Sequence, residues 1–158
     1  MIWIIRIFLL VYAVLYFGIG AWAIIDPIKD PILDLLGLSW EIPSFMNEVG
    51  LKVSKPIGYS EVAGLYGGIN IIVGLLCFLG LFSRGIASYA FSLLAFLTFS
   101  IALGRYLFSI FDPSMPHYFN DFFIFEIATF ILSLSCYLYL KLLYNPRKST
   151  NIENVASD

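Results

Sequence analysis

The chain has 158 residues, of which 60% are apolar and only 13% are charged. A water-soluble domain of this size needs far more polar surface, so the composition excludes one and indicates an integral membrane protein. The formal net charge of −2 comes with no basic stripe, which gives no reason to expect nucleic acid as a partner.

Four apolar runs are long enough to cross a bilayer. Because backbone groups in lipid must bond within their own segment, we predict that each run is an α-helix. Asp26-Pro27 ends the first helix, because proline disfavours helix in the residue before it. Ser83-Arg84-Gly85 reads as a tight turn between the second and the third. The predicted spans are residues 2–25, 61–82, 86–111 and 119–143, within one domain over 1–145 that precedes a disordered polar tail over 146–158.

The loop over residues 26–60 contains one further element. Residues 30–38 read as a short helix with Pro31 near its start and Gly37 as its C-cap, and their apolar side chains suit the membrane interface. For the more polar stretch over 41–60, an extended cap over the bundle and a plain connector both remain open. The predicted fold class is all-α, a four-helix transmembrane bundle with a short interfacial helix after the first span.

Four spans place both termini on the same side of the membrane. Basic residues near helix ends concentrate on that side, whereas the opposite side is rich in acidic residues. The excess of lysine and arginine in cytoplasmic loops therefore predicts that both termini are cytoplasmic. The basic residues on the side of the termini are Arg84, Lys141, Arg147 and Lys148.

A weak internal repeat relates the ends of two spans. Residues 18–27 align with residues 104–113, and both segments begin with glycine and end in Asp-Pro. This similarity predicts two helical hairpins related by a parallel pseudo-repeat. Chance similarity of two apolar runs is the alternative.

Two opposite charges lie inside otherwise apolar spans, Arg105 in the third and Glu126 in the fourth. A lone charge at that depth costs roughly 2.5–3.5 kcal/mol on insertion scales, so such residues are usually paired and functional. Both are expected on the order of 10 Å inside the non-cytoplasmic boundary of the membrane, on either side of one short loop. We predict a salt bridge, which acts either as a strut between two helices or as part of a ligand site.

The second span adds polar groups at a comparable height. Gly64 and Gly68 form a small-xxx-small pair that permits close helix approach. Asn70 lies about 13 Å deep and needs a hydrogen-bond partner. Glu61 is expected at the helix N-terminus, where the helix dipole favours a carboxylate. The predicted ligand-binding residues are Arg105, Glu126, Asn70, Tyr66 and Glu61.

Recognisable catalytic motifs are absent from the sequence. The one histidine, His117, falls in a loop, and a metal site needs several donors together. No Ser–His–Asp set, Walker loop or dinucleotide fingerprint appears. We therefore predict no metal, no cofactor and no catalytic residue, and an enzyme is the weakest of three functional interpretations.

Short motifs along nearly the whole chain resemble a family of small bacterial four-helix membrane proteins of unknown function, distantly similar to DoxX-like proteins. The resemblance implies the same fold and an inner-membrane location, and it brings no established activity. The motifs are Asp26-Pro27, residues 35–38 (LLGL), Glu61, residues 66–68 (YGG), residues 102–105 (ALGR), Asp112 and Glu126.

Two non-enzymatic functions remain open. The first is a non-enzymatic membrane protein whose buried polar site binds a small amphipathic molecule, a lipid headgroup or a quinone. The second is an accessory subunit of a membrane redox or envelope complex, in which the buried charges are structural. Expected partners are the lipid bilayer, such a ligand, and either a second copy of the chain or a membrane-complex partner.

Overall fold

The computed structural model describes residues 2–28, 35–37, 43–111 and 121–143, and these residues form helices and turns without a strand. The all-α class is therefore confirmed. Four helices are long and apolar enough to cross a membrane, and they correspond to the four predicted spans. The helices are α1 (Ile2–Ile25), α2 (Phe45–Glu48), α3 (Pro56–Gly80), α4 (Arg84–Phe111) and α5 (Asp121–Leu143).

Large apolar side chains remain exposed along the spans, as lipid-facing residues do. Trp3 is 73% exposed, and Ile72, Phe96 and Ile131 are also exposed. In water such faces would be unstable, whereas in a bilayer they lie against hydrocarbon. The chain is thus built to be embedded in a membrane.

The chain divides into two compact units, Met1–Leu81 and Phe82–Asp158. In the first, α1 packs against α3 as a helical hairpin, and in the second α4 packs against α5. The pairing agrees with the two hairpins predicted from the sequence. Their association into one bundle and their relation by a pseudo-repeat stay predictions.

Two helices, α3 and α4, begin earlier than predicted, whereas the end of α1 agrees with the prediction. The helix α1 ends at Ile25 as predicted, and a single 3-10 turn, Asp26–Ile28, follows it. The helix α3 begins at Pro56, because proline fits the first helical position. The expectation that Glu61 opens this helix is therefore wrong. The predicted turn over 83–85 is also wrong, because Arg84 and Gly85 already belong to α4.

Residues Ala63–Gly68 of α3 form a π-helical turn between two α-helical segments. Such a turn accommodates one extra residue, and it leaves a backbone carbonyl without its usual i+4 partner. The side-chain amide of Asn70 donates to the carbonyl oxygen of Tyr66 in this turn. The partner that Asn70 was expected to need is thus on its own helix.

Glycines bring α1 and α3 into close contact, but they are not the predicted pair. A Cβ on Gly20 would lie 2.8 Å from the carbonyl oxygen of Gly67, and one on Gly74 would lie 3.0 Å from the backbone nitrogen of Phe17. A Cβ on Gly64 would meet no heavy atom within 4 Å among the described residues. The close approach therefore uses Gly20, Gly67 and Gly74, and the expectation for Gly64 and Gly68 is wrong.

Residues 43–53 cover the end of the first hairpin. Phe45 is only 3% exposed and packs with Ala23 and Val62. The indole N–H of Trp22 donates to the carbonyl oxygen of Pro43 at 2.8 Å. This segment, called the cap below, is thus a packed element of the first unit. Its other apolar neighbours are Ile19, Met46, Leu51 and Val53.

The predicted interfacial helix and tail fall mostly outside the described residues. Leu35 and Leu36 are helical and exposed, and Gly37 has a φ of 63°, the left-handed conformation of a glycine C-cap. The rest of residues 30–38, the Asp112-Pro113 end of the third span and the tail over 146–158 lie outside the described part.

The interior of the second unit is a seam of small and hydroxylic side chains between α4 and α5. Thr98, Thr129 and Ser133 are almost completely buried, as is Phe91. Small and hydroxylic residues let transmembrane helices approach closely, and their hydroxyls hydrogen-bond within the protein. Thr98 and Thr129 lie between the middle of the two helices and the pair formed by Arg105 and Glu126.

Candidate functional site

The two intramembrane charges form the predicted salt bridge within the second unit. The Nε of Arg105 lies 3.1 Å from both Oε1 and Oε2 of Glu126. The Glu126 side chain is 10% exposed, whereas that of Arg105 is 40% exposed. The carboxylate is therefore enclosed and the guanidinium is the more accessible charge.

The pair lies close to one end of both helices. Arg105 is six residues from the end of α4 at Phe111, about 9 Å along the axis, and Glu126 is five residues from the start of α5 at Asp121, about 7.5 Å. With 28 residues, α4 is about 42 Å long and exceeds a hydrocarbon core of about 30 Å. If that excess is shared between the two ends, Arg105 lies only just inside the hydrocarbon boundary.

The contact uses only one of the three nitrogens of the guanidinium. Glu126 accepts from Nε, and among the described residues no acceptor takes a hydrogen bond from Nη1 or Nη2 of Arg105. These two amino groups carry four N–H donors. An arginine whose only role was to neutralise Glu126 would gain more by a bidentate pairing through two nitrogens. The terminal amino groups are thus left for another acceptor.

A buried hydroxyl follows the pair along the seam. Ser133 Oγ is enclosed and makes no hydrogen bond within the described part of the chain, whereas Thr98 Oγ1 donates to the Leu94 carbonyl oxygen at 2.7 Å. The sequence places Glu126, Thr129 and Ser133 on one face of α5, and all three are buried there. The polar face therefore points into the second unit and away from lipid.

An apolar groove of about 360 Å³ lies between α4 and α5, nearer the middle of both helices than the charged pair. At the end nearer the pair, the rings of Phe99 and Phe130 lie 5.1 Å apart. Phe130 is one helical turn from Glu126, so the groove and the ion pair lie on successive turns of one hairpin. This aromatic groove is lined by Ser92, Ala95, Phe96, Phe99, Phe130, Leu134 and Tyr137.

The groove was not predicted from the sequence. Its lining residues differ little from other lipid-facing apolar residues, and only the spacing of Ser92, Phe96 and Phe99 along one face of α4 hints at a shared stripe. A groove depends on the gap between two side-chain rows of different helices, which a single helical wheel does not contain.

The other predicted site residues belong to the first unit. Glu61 is exposed in the second turn of α3. The Tyr66 ring lies 5.5 Å from the ring of Phe45, edge to face, and so borders the cap. Asn70 is half-buried and bonds to the Tyr66 carbonyl. The structure therefore joins Arg105 to Glu126 in one unit and Tyr66 to Asn70 in the other.

Metal ligands are not grouped in the described residues, where no three His, Cys, Asp or Glu side chains lie close enough to hold an ion. His117 lies outside those residues. The site that the described geometry supports consists of a charged pair, a fork of free N–H donors and an apolar groove. These groups offer hydrogen-bond donors and apolar surface, which is the chemistry of binding.

Comparison with known proteins gives one match. Residues 4–137 match the model of a family described as a domain of unknown function, DUF4345. No curated protein and no solved structure matches the chain. The match covers α1 to α4 and most of α5, including both charged residues, and the similarity to DoxX-like proteins remains an expectation from the sequence motifs.

Proposed function

Since the chain belongs to the DUF4345 family of domains of unknown function, its role has to follow from its own site, and we propose that it binds the polar head of a small amphipathic molecule at Arg105. The head is that of a lipid or of a quinone. Glu61, Tyr66 and Asn70 are proposed contributors on the strength of the sequence alone.

The proposal rests on which nitrogen of Arg105 donates to Glu126: both carboxylate oxygens accept from Nε. This contact balances the charge of Arg105 and fixes the direction of its side chain, while no described residue accepts a hydrogen bond from Nη1 or Nη2. A planar fork of N–H donors recognises two oxygens at once, which lysine does not do. Glu126 therefore acts as a positioning residue for the arginine.

The location of the pair favours an amphipathic ligand. A head held just inside the hydrocarbon boundary is within reach of molecules that diffuse in the bilayer. At this height the Arg105 side chain is 40% exposed, so a headgroup can reach it without displacing Glu126. An accessory-subunit role, with the pair as a strut, requires no such ligand.

The test is mass spectrometry of molecules that co-purify with the detergent-extracted protein, compared between wild type, Arg105→Lys and Arg84→Lys. Arg84 is a matched control, because it begins the same helix. We expect wild type and Arg84→Lys to retain the same molecule and Arg105→Lys to lose most of it. Retention by Arg105→Lys at the wild-type level would favour the strut, and melting temperatures show whether each variant is folded.

A further inference from the structure

We propose that the ligand is an anionic phospholipid, whose phosphate binds the terminal amino groups of Arg105 while one acyl chain lies in the aromatic groove. This inference rests on the proposed function and names its ligand class. The groove and the arginine belong to the same unit, and Phe130 of the groove is one helical turn from Glu126 of the ion pair.

The spacing of head site and groove matches a lipid chain. Phe99 is six residues from Arg105, about 9 Å along α4, and Ser92 is thirteen residues away, about 20 Å. One leaflet of a hydrocarbon core of about 30 Å corresponds to about 15 Å, which is the depth that one acyl chain covers. A chain that starts at the height of Arg105 and points into the membrane therefore ends at the height of the groove.

The direction of the site also fits a membrane lipid. The polar end lies just inside the hydrocarbon boundary and the apolar end lies deeper, as in the lipids around it. The groove volume of about 360 Å³ is near the lower end of the range for small-molecule sites, about 300–1,000 Å³. This volume suits one hydrocarbon chain better than a bulky ring system.

The electrostatics select the head. Glu126 is enclosed and its two oxygens face Nε, whereas the exposed part of the pair belongs to the cation. A phosphodiester offers two adjacent anionic oxygens, the arrangement that a guanidinium fork binds bidentately. The two carbonyl groups of a para-quinone lie on opposite sides of its ring, so the fork meets only one of them. The phospholipid therefore uses more of the available donors, and an anionic head brings no choline or ethanolamine cation that competes with Arg105 for the phosphate.

The first arm of the test varies the ligand. Native mass spectrometry of the detergent-solubilised protein compares palmitoyl lysophosphatidylglycerol, palmitoyl lysophosphatidylcholine, glycerol phosphate and decylubiquinone. We expect the lysophosphatidylglycerol to bind at least tenfold more tightly than the others. If lysophosphatidylcholine binds as tightly as lysophosphatidylglycerol, the choice of an anionic head is overturned. If decylubiquinone binds more tightly than lysophosphatidylglycerol, the ligand is a quinone and not a phospholipid.

The second arm varies the protein. Leu134→Trp fills the groove, and Leu132→Trp is its control, because Leu132 is an exposed leucine of α5 that does not line the groove. We expect Leu134→Trp to bind lysophosphatidylglycerol at least fivefold more weakly than Leu132→Trp. If Leu134→Trp does not fold, Ser92→Phe and its control Ser100→Phe make the same comparison on α4.

The outcomes separate the two proposals. Loss of binding in both Arg105→Lys and Leu134→Trp supports head and chain sites together. Loss in Arg105→Lys with wild-type binding in the folded groove variants overturns the acyl-chain site and leaves the proposed function in place. Wild-type binding in Arg105→Lys overturns both.

Discussion

The carboxylate of Asp26 accepts a hydrogen bond from the hydroxyl of Ser44, with 2.9 Å between Oδ2 and Oγ. The same oxygen accepts from the backbone N–H of Met46 at 3.3 Å, so that it holds the first turn of α2 at the end of α1. Asp26 was expected only to end a helix. Together with the Trp22–Pro43 bond, it makes residues 43–53 a fixed cap of the first hairpin, and a plain connector is excluded there.

We expect Asp26→Ala to loosen the cap. It removes the acceptor of two hydrogen bonds at a site where Asp26 is only 5% exposed, and a buried group left without its partner costs about 1–3 kcal/mol. Melting temperature in detergent and the rate of proteolysis between residues 43 and 53 measure the effect. Glu48→Ala is the control, because Glu48 is an exposed acid of α2. If both variants behave alike, Asp26 does not hold the cap.

The glycines of the first hairpin give a second prediction. A methyl group on Gly20 would approach the Gly67 carbonyl oxygen at 2.8 Å and the Ile71 nitrogen at 2.9 Å, both backbone atoms that yield little. We expect Gly20→Ala to cost about 1–3 kcal/mol through overpacking. Gly64→Ala should be neutral or stabilising by up to about 1 kcal/mol, because alanine is the better helix former. Thermal unfolding measures the stability of the two variants. Equal losses of stability in both would contradict the close packing of Gly20 against α3.

The ion pair should show strong coupling between its partners. Removing either Arg105 or Glu126 leaves an unpaired charge, and breaking a buried pair costs about 3–5 kcal/mol. Because the Arg105 side chain is 40% exposed, water still solvates it when Glu126 is removed. We therefore expect Glu126→Ala to cost about 3 kcal/mol, the lower end of that range. Unfolding of Arg105→Ala, Glu126→Ala and the double variant should give a coupling energy of about 1–3 kcal/mol. Strict additivity of the two losses would show that the residues do not act as a pair.

Exchanging the two charges separates stability from binding. Arg105→Glu combined with Glu126→Arg restores charge balance at the same depth, so we expect much of the melting temperature to return. The fork of N–H donors then starts from the other helix, and we expect the co-purifying molecule to be lost. Wild-type ligand occupancy in the exchanged protein would show that the position of the guanidinium does not matter.

The membrane orientation stays a prediction from the charges, and it has its own experiment. Alkaline phosphatase is active only outside the cytoplasm, so a fusion to the C-terminus should be inactive if both termini are cytoplasmic. A fusion within residues 43–50 is the positive control, because the four-span topology predicts that this loop and the termini lie on opposite sides of the membrane. High activity at the C-terminus would reverse the assignment.

Composition alone sufficed to predict the four spans, because the need to satisfy backbone groups in lipid leaves a helix as the outcome for each apolar run. The partnership of Arg105 and Glu126 was predictable for a related reason: two opposite charges at equal depth on adjacent antiparallel spans have each other as nearest compensation. Both predictions depend on strong, one-dimensional constraints.

The features that were missed depend on tertiary contacts. Phe45 is buried only because Trp22, Ala23 and Val62 surround it, and the local sequence carries no sign of this. The close-packed glycines were misassigned because a small-xxx-small pair does not say which face of a helix meets its partner. Gly67 and Gly74 share an adjoining face on a regular helical wheel, and it is this face that packs against α1.

The π turn over Ala63–Gly68 has a consequence for the evolution of the family. A π turn arises from the insertion of a single residue into an α-helix, and deletion of that residue returns the helix to regularity. Such a deletion would turn the half of α3 before the turn by about 100° relative to the half after it. Val62 lies before the turn and packs against Ala23 and Phe45, and it would then rotate away from them. Homologous chains that keep this contact should therefore show no gap at this point in an alignment.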